Sequence, residues 1–256
     1  MSLDLAIDWF TRLLAFSLVI QSIEWISLSN YFSDSDVFVW SIQRRDLRHT
    51  SKIFQIFFQY LFADHIYFLH LFMRLCAALS LVIAPHPMTA IFLFLGTIIL
   101  MIRWRGAFNG GSDFMSLVTV TGLVIGTAGS VFIDREAAWA AAFWYVTIHS
   151  MSSYFMSGAV KLLNPYWRKG RALIHFLDGG LYGPLSEQSV FKHSLIAVVA
   201  SWGFILWEIS FPWTLFDITI AYIYCGIACL FHLLVFRFFG LNRFVWAWVT
   251  TFPALL

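Results

Sequence analysis

The chain has 256 residues, of which 60% are hydrophobic, 19% are aromatic and only 12% are charged, with a formal net charge of +2. Soluble domains carry roughly 25% charged residues, and an apolar excess of this size would leave a soluble globule exposing patches that aggregate. The composition therefore excludes an ordinary soluble domain. It predicts an integral membrane protein whose first partner is the lipid bilayer.

Apolar runs of membrane-spanning length follow one another along the chain. A transmembrane helix needs about 20 mostly apolar residues, and about seven such runs fit, within a range of about six to eight. The predicted spans are residues 10–28, 66–84, 88–102, 114–132, 138–160, 194–210 and 213–236. The predicted fold class is thus all-α: a polytopic transmembrane helix bundle with interfacial helices, forming a single domain over residues 1–256.

Three segments outside these spans bear on the topology. Residues 53–63 are expected to form an amphipathic helix that approaches the second span; if they cross the membrane instead, the orientation of the amino-terminal part reverses. Residues 241–256 can add a short eighth span. The first apolar run follows Asp4 and Asp8 rather than lysines and has no small-residue cleavage site after it, so we expect a retained anchor and not a signal peptide.

The basic residues are distributed unevenly between the two sides of the predicted bundle. Of the 16 Lys and Arg residues, all but Arg12, Arg74 and Arg135 fall on one side of the seven-span topology. Cytoplasmic loops carry the excess of basic residues. We therefore expect this side, including the region of Lys161, to face the cytoplasm from the inner or plasma membrane of the cell. Because membrane topology accounts for the excess of Lys and Arg in these loops, no nucleic acid is expected as a partner.

Several charged or titratable residues lie inside the predicted spans. Such a charge costs about 2.5–3.5 kcal/mol near the bilayer centre, so each one calls for a partner or a function. Glu24 and Arg74 have opposite signs on neighbouring helices, and we expect them to pair. Glu208 and His232 lie in consecutive helices that must pack as a hairpin. They can relay protons or orient a polar substrate, or they can form an internal hydrogen bond that locks the two helices.

Lys161 ends the predicted fifth span, and Ser157, Tyr154 and Ser150 precede it by four, seven and eleven residues. This spacing places a polar stripe along one face of an otherwise apolar helix. One interpretation is that the lysine extends to the lipid headgroups. The other is that it is a partly desolvated amine, held inward, that can accept a proton. Its alignment with the polar stripe favours the second interpretation.

A metal site is a further alternative. Cys225, Cys229 and His232 share one face of a helix, and soft ligands in this arrangement can bind copper or zinc. Zinc prefers a fourth ligand, however, and small cysteines are common in packed helices. Packing is the favoured interpretation, so no metal is predicted. The sequence also contains no glycine-rich phosphate loop, nucleophile elbow or zinc-protease motif.

The segment SGAVKLLNPYWRKG, preceded by Tyr154 and Phe155, resembles a segment of vitamin K-dependent gamma-glutamyl carboxylase-like proteins and their bacterial relatives, the horizontally transferred transmembrane (HTTM) domain proteins. Two later segments fit the same order: LWEISFP with Glu208, and CLFHLLVFRFFGLNRF with His232. The loop NGGSDF lies where such proteins carry an asparagine-containing turn. The resemblance covers about residues 60–250.

This resemblance implies an enzyme or enzyme subunit that acts in peptide or protein modification. Lys161 would be the catalytic base that deprotonates a reduced quinone of the vitamin K type and starts an oxygen-dependent epoxidation. Glu208 and His232 would support it in the pocket. The residues expected to bind the cofactor are Tyr154, Ser157, Trp167 and Asn109.

The sequence also departs from the carboxylase pattern. The asparagine-containing turn offers Ser112 and Asp113 where the carboxylases have a histidine, which argues against carboxylation itself. Compact bacterial relatives look more like partners in peptide-toxin maturation, so a non-catalytic membrane scaffold or maturation partner is the alternative function. A small-solute transporter is a third alternative, which is disfavoured because no inverted repeat is visible.

Overall fold

The structure is a computed structural model that describes residues 1–32, 39–104 and 110–256. Within these residues every regular element is helical and no strand occurs, which confirms the predicted all-α fold class. The α-helices are α1 (Leu3–Ser27), α2 (Trp40–Gln43), α3 (Lys52–Leu61), α4 (Asp64–Ser80), α5 (Pro87–Trp104), α6 (Gly110–Gly129), α7 (Arg135–Leu163), α8 (Pro165–Arg168), α9 (Arg171–Asp178), α10 (Ser194–Ile209), α11 (Ile218–Phe239), α12 (Asn242–Val249) and α13 (Phe252–Leu255). Short 3₁₀-helices lie at Ser29–Phe32, Arg44–Leu47, Val190–Lys192 and Phe211–Leu215.

Three of the described helices are long and apolar enough to cross a membrane: α5, α11 and the Gly111–Gly129 part of α6. Helices α3 and α4 pass the same criteria together, although they are bent by 74° at the break between them, so a fourth span is available if the pair counts as one. Helix α10 is apolar but has only 16 residues. These helices are consistent with a membrane protein.

Helices α1 and α7 cover the expected first and fifth spans and are 25 and 29 residues long. They are more polar than the three candidate spans. Helix α1 begins with Asp4 and Asp8, and Arg12 Nε lies 2.8 Å from Asp8 Oδ1 on its exposed side. Helix α7 carries a run of hydroxyl residues in its second half, which the site described below accounts for.

The seventh predicted span begins later than the sequence pattern suggests. Residues 213–217 were expected inside the helix, but Trp213 belongs to the 3₁₀-helix that contains Pro212, and α11 begins only at Ile218. Asp217 is the N-cap: its Oδ1 accepts hydrogen bonds from the backbone N–H groups of Thr219 (2.6 Å) and Ile220 (3.2 Å). The helix ends at Gly240, whose φ of 70° is the left-handed conformation typical of a helix C-terminus.

Contacts within the chain define two compact units. The amino-terminal unit is Ile7–Ala142, and the carboxy-terminal unit is Phe143–Leu256 together with Met1–Ala6. The single domain expected from the sequence stays a prediction. Each unit has its own polar centre, and the two centres are built differently.

Arg74 on α4 is the polar centre of the amino-terminal unit. Its side chain is fully buried and donates hydrogen bonds to Gln21 Oε1 (2.6 Å), Ser22 Oγ (2.8 Å) and Thr97 Oγ1 (3.3 Å). Gln21 Nε2 in turn donates to Asp113 Oδ1 at 2.8 Å. These bonds join α1, α4, α5 and α6. The expected pairing of Arg74 with Glu24 stays a prediction.

An aromatic cluster packs beside this network in the same unit. The rings of Trp25 and Trp104 stack with centroids 4.4 Å apart, and Trp104 Nε1 donates to the Tyr67 hydroxyl at 2.9 Å. The Arg103 guanidinium lies 4.7 Å from the Trp104 ring and 5.7 Å from the Trp40 ring. Because a cation is attracted to the face of an aromatic ring, Arg103 holds α2 against the end of α5.

The cap at Asp217 generates a prediction about pH. Hydrogen bonds from Ile220 and Thr219 hold the pKa of the Asp217 carboxyl below its usual range. A group whose pKa is lowered by folding stabilises the protein above its unfolded-state pKa, and this contribution is lost as the pH falls through the lowered value. We expect Asp217→Ala to lower the unfolding temperature at neutral pH and to reduce its further decline in acid, as measured by circular dichroism in detergent.

Asp217→Asn is the matched control because it keeps an acceptor oxygen but carries no charge. At neutral pH, the unfolding temperature of Asp217→Asn should lie between those of the wild type and Asp217→Ala. Its unfolding temperature should also decline less in acid than that of the wild type, as expected for Asp217→Ala. An Asp217→Ala variant that melts at the wild-type temperature at neutral pH would contradict the role of the cap.

Candidate functional site

The polar stripe of α7 contacts other helices of the carboxy-terminal unit. Ser150 Oγ lies 3.3 Å from Thr251 Oγ1, and the Tyr154 hydroxyl lies 2.8 Å from His232 Nε2 on α11. Lys161, at the end of the stripe, contacts Glu208 on α10. The 3.6-residue period of the helix therefore places these side chains on one inward face.

Lys161 and Glu208 form a close ion pair. Lys161 Nζ lies 2.6 Å from both carboxylate oxygens of Glu208 and donates a third hydrogen bond to Ser157 Oγ, also at 2.6 Å. Ser157 Oγ donates to Glu208 Oε1 at 3.2 Å, which closes a triangle of polar atoms. The Lys161 side chain is 14% exposed and that of Glu208 is 2% exposed, so the pair is largely screened from solvent. The three donors of an ammonium group are all engaged.

A glycine next to Ser157 lets α7 and α10 approach closely enough to form this pair. Gly158 is buried, and a Cβ at its position would lie 2.7 Å from the backbone nitrogen of Ile209 and 2.8 Å from Glu208 Cβ. Real Cβ atoms do not come this close to backbone atoms, so any other residue here must push α10 away. The small side chain thus sets the distance across which Lys161 and Glu208 pair.

Trp167 covers the ion pair from the segment after α7. Its ring centroid lies 5.3 Å from Lys161 Nζ, within the range of a cation–π contact. Asn164 caps the turn by accepting from the Tyr166 backbone N–H at 2.9 Å, and the Trp167 carbonyl accepts from Ser201 Oγ at 2.6 Å. Gly170 then turns the chain with a φ of 71°. It lies so close to α10 that a Cβ at this position would be 2.7 Å from the Ala197 carbonyl carbon.

His232 and Tyr154 form a second polar pair, enclosed by aromatic rings. The His232 ring stacks on Trp248 with centroids 5.1 Å apart, and Tyr154 stacks on Phe211 at 4.1 Å. His232 is 1% exposed and Tyr154 is 3% exposed. Within the described part of the chain, His232 Nδ1 is buried without a hydrogen-bond partner. That nitrogen is a free acceptor or donor, depending on the tautomer.

A cavity of about 570 Å³ joins these two polar pairs. Its volume lies within the roughly 300–1,000 Å³ typical of small-molecule sites. The predicted site residues that line it are Tyr154, Ser157, Lys161, Trp167, Glu208 and His232. The aromatic residues that line the rest of the wall include Phe204, Phe231, Phe238, Phe244 and Trp248. The seventh predicted site residue, Asn109, lies outside the described residues.

The cavity combines an apolar wall with one hydrogen-bonding end. A molecule whose polar head reaches that end meets an amine, a carboxylate and a hydroxyl within one small volume. The Lys161 amine and the Glu208 carboxylate are close enough to exchange a proton directly. The arrangement can therefore bind a polar head group and move a proton to or from it.

The metal alternative at Cys225, Cys229 and His232 gains no support. No group of three or more His, Cys, Asp or Glu side chains in the described ranges is placed to hold a metal ion. His232 instead directs Nε2 at Tyr154, and both cysteines are free thiols, one buried and one partly buried.

Sequence reasoning did not identify the rings that enclose Tyr154 and His232. Trp207, Phe211 and Trp248 all contact one of these two residues or both. One signal was available, because Phe244 and Trp248 are four residues apart, and this spacing places both on one face of α12. Aromatic residues are so frequent in this chain that the spacing did not stand out.

Comparison with known proteins does not identify the chain further. No protein-family model, curated protein or solved structure matches it.

Gly158→Ala tests whether close approach of α7 and α10 creates the ion pair. The added methyl group would overlap Ile209 and Glu208, and overpacking of this kind costs about 1–3 kcal/mol. We expect a lower unfolding temperature in detergent. Gly203→Ala is the matched control, because a Cβ on that glycine of α10 meets no atom within 4 Å. Equal stability of the two variants would contradict the proposed role of Gly158.

Proposed function

We propose that the carboxy-terminal unit binds a reduced quinone, or a chemically similar lipid-soluble aromatic cofactor, and that Lys161 acts on it as a base. The protein would serve as an enzyme or enzyme subunit in peptide or protein modification. The observation that carries this proposal is the Lys161–Glu208 pair at the polar end of an apolar, aromatic-lined cavity. A reduced quinone, when bound, supplies a weakly acidic ring hydroxyl and two electrons.

The residues of the cavity fit such a molecule. The aromatic side chains of the wall offer ring faces for stacking. Lys161, Ser157 and Glu208 add hydrogen-bonding groups to this wall. A flat aromatic ring that carries hydroxyl groups has the matching chemistry.

Lys161 is the residue that accepts the proton in this proposal. The ion pair first moves one proton from Nζ to the Glu208 carboxylate, 2.6 Å away, which leaves a neutral amine beside a carboxylic acid. The amine then takes the proton of the bound hydroxyl at Nζ, and the O–H bond breaks as the new N–H bond forms. Ser157 fixes the orientation of the amine. Trp167 covers the amine and limits the access of water. Glu208 thus holds the proton that frees the base, and Ser157 positions the base.

The resemblance of residues 154–170 to the carboxylase-like HTTM proteins supports the same assignment, because Lys161 matches the catalytic lysine of that pattern. We propose that the chain belongs to this group. Carboxylation itself is not part of the proposal. Asp113, expected in the turn where the carboxylases carry a histidine, lies in the first turn of α6, where it accepts a hydrogen bond from Gln21 of α1 and belongs to the Arg74 network.

We further propose that the helices form a bundle of about seven spans in the cell membrane, with the basic loops in the cytoplasm. The three candidate spans, the α4 arm of the bent pair α3–α4 and the apolar α10 supply five, with α3 as an interfacial helix. Helices α1 and α7 supply two more, since 25 and 29 residues at 1.5 Å per residue are longer than the roughly 30 Å of the hydrocarbon core.

A second function is favoured by one specific observation. All three donors of Lys161 are engaged by the protein itself, so the ion pair also serves to fix α7 against α10. On that basis the protein would be a non-catalytic membrane scaffold or maturation partner. The two functions predict different results when both members of the pair are replaced.

Replacing one member of the pair should destabilise the protein strongly. Lys161→Met leaves the Glu208 carboxylate buried without its partner, and breaking a buried pair in this way costs about 3–5 kcal/mol. Lys161→Met combined with Glu208→Gln removes both charges and should recover most of that loss. Unfolding in detergent, followed by circular dichroism, measures both. If the double variant is no more stable than Lys161→Met, the pair is not the source of the loss.

The double variant also separates the two functions. We expect it to bind a short-chain menaquinone analogue at least about tenfold more weakly than the wild type, because a charge-assisted hydrogen bond contributes about 1.5–3 kcal/mol. Quenching of tryptophan fluorescence measures binding, since Trp167 and Trp248 line the cavity. Oxygen-dependent oxidation of the reduced analogue should fall to the uncatalysed rate.

Lys192→Met is the matched control for these measurements, because Lys192 pairs at 2.8 Å with Glu187, whose side chain is 93% exposed. It should bind and oxidise the analogue as the wild type does. A stable double variant that retains both properties would favour the scaffold function and overturn the role of Lys161 as a base.

A further inference from the structure

We propose that the segment from Trp40 to Tyr60 in the amino-terminal unit binds the headgroup of an anionic membrane phospholipid between its arginines and α3. We call this segment the basic corner. It comprises α2, the 3₁₀-helix Arg44–Leu47 and most of α3. The proposal is independent of the function proposed for the carboxy-terminal unit.

The direction of α3 places it along a membrane surface rather than across it. Helix α3 is bent by 74° from α4, so if α4 crosses the bilayer, α3 runs close to the bilayer plane. Ser51 begins it as an N-cap that accepts from the Phe54 backbone N–H. A helix in this position needs an apolar face for the acyl chains and polar groups for the headgroups.

Helix α3 has such an apolar face. Large apolar side chains on it are exposed by more than half, with Ile53 at 80% and Tyr60 at 68%. The other exposed members of this face are Phe54, Ile56 and Phe57. One side chain, Phe58, turns the other way and packs on Phe62 in the aromatic cluster. The helix is thus attached to the unit by one edge and presents the remaining apolar surface outward.

Arginines lie directly beside this face. A groove of about 610 Å³ is lined by Arg44, Arg45 and Arg48 on one side and by Gln55, Gln59 and Tyr60 of α3 on the other. The sequence from residue 40 to residue 60 adds Lys52 and contains one acidic residue, Asp46. The segment therefore carries a net positive charge next to apolar side chains, which is complementary to an anionic headgroup joined to acyl chains.

Hydrogen bonds fix the arginines without using all their donors. Arg44 Nη1 donates to Gln59 Oε1 at 3.2 Å, and Arg48 Nε donates to His49 Nε2 at 3.1 Å. Gln55 Nε2 donates to the carbonyls of Arg48 and Thr50, which holds the preceding turn against α3. A guanidinium group has five N–H donors in a fork that matches phosphate oxygens. Donors therefore remain for a phosphodiester.

The groove rests on a fixed support. Trp40 lines the groove and is also a member of the buried aromatic cluster, where its ring lies 4.4 Å from that of Phe62 and 5.7 Å from the Arg103 guanidinium. Gln43, the last residue of α2, also accepts a hydrogen bond from Arg103. The positions of the arginines are thus set by the packed core of the unit.

The chemistry of the groove favours a lipid over a soluble anion. A free phosphate would engage the arginines but would leave the apolar face of α3 in water. A phospholipid satisfies both, because its phosphate lies at the level of the arginines while its acyl chains cover Ile53 and Phe57. Basic residues that flank membrane helices are also expected on the leaflet that carries anionic lipids.

The test uses the full chain purified in mild detergent and titrated with short-chain phosphatidylglycerol or phosphatidylcholine, with bound lipids counted by native mass spectrometry. We expect the wild type to prefer phosphatidylglycerol. The variant Arg44→Gln, Arg45→Gln, Arg48→Gln should bind it at least about tenfold more weakly, since each basic residue near an anionic surface contributes severalfold. The control variant Arg168→Gln, Lys169→Gln, Arg171→Gln loses three exposed charges elsewhere and should retain wild-type binding.

Three results would overturn the proposal. The first is equal binding of the two lipids by the wild type, a comparison that requires no variant to fold. The second is an equal loss of binding in the two triple variants, which would indicate attraction by overall charge. The third is displacement of the lipid by inorganic phosphate at comparable concentration, which would assign the arginines to a soluble anion.

Discussion

Burial of the Lys161–Glu208 pair is the constraint on which the carboxy-terminal unit depends. Removing two charges from water costs several kcal/mol per ion, and this cost is offset only if the geometry is close and the remaining hydrogen-bonding capacity is used. Both conditions hold, since Nζ lies 2.6 Å from each carboxylate oxygen and Ser157 closes the triangle. The pair also requires α7 and α10 to approach closely, which Gly158 permits. The helix contact and the ion pair are therefore one structural feature.

The buried cations of the two units have different surroundings. Arg74 is fully buried and donates hydrogen bonds to Gln21, Ser22 and Thr97, which join α4 to α1 and α5. Lys161 pairs with Glu208, and both members of the pair line a cavity. A cation enclosed by packed helices can serve only the fold. A cation at the wall of a cavity can also meet a ligand, and this difference distinguishes the candidate site from the structural network.

The sequence predicts the helices and one face of the site, but not the partners across it. The spacing of Ser150, Tyr154, Ser157 and Lys161 predicts a common face because it depends on the helical period alone. The predicted hairpin suggested that Glu208 and His232 act together, whereas His232 contacts Tyr154. Glu208 contacts Lys161, which agrees with the supporting role that the family resemblance implied for it. Which helix faces which is decided by tertiary packing, and one sequence does not encode that in any local pattern. The late start of α11 has a local cause, because Pro212 and Asp217 favour a 3₁₀-turn and a cap where hydropathy continues unbroken.

The charge balance of the cavity restricts the ligands that it can accept. Lys161 and Glu208 neutralise each other, and the rest of the wall is almost entirely apolar. A ligand with a net charge would remain uncompensated at that end, at a cost of several kcal/mol in an apolar environment. A neutral molecule with a hydrogen-bonding head avoids this cost and can still exchange a proton with the pair. When the ligand gives up its proton, the Lys161–Glu208 pair gains a net positive charge and the ligand becomes an anion. The pair therefore attracts the ligand electrostatically only as the proton moves. A catalytic site must bind the transition state more strongly than the substrate. The ion pair meets this requirement, and because it has no net charge before the reaction, it does not attract charged solutes.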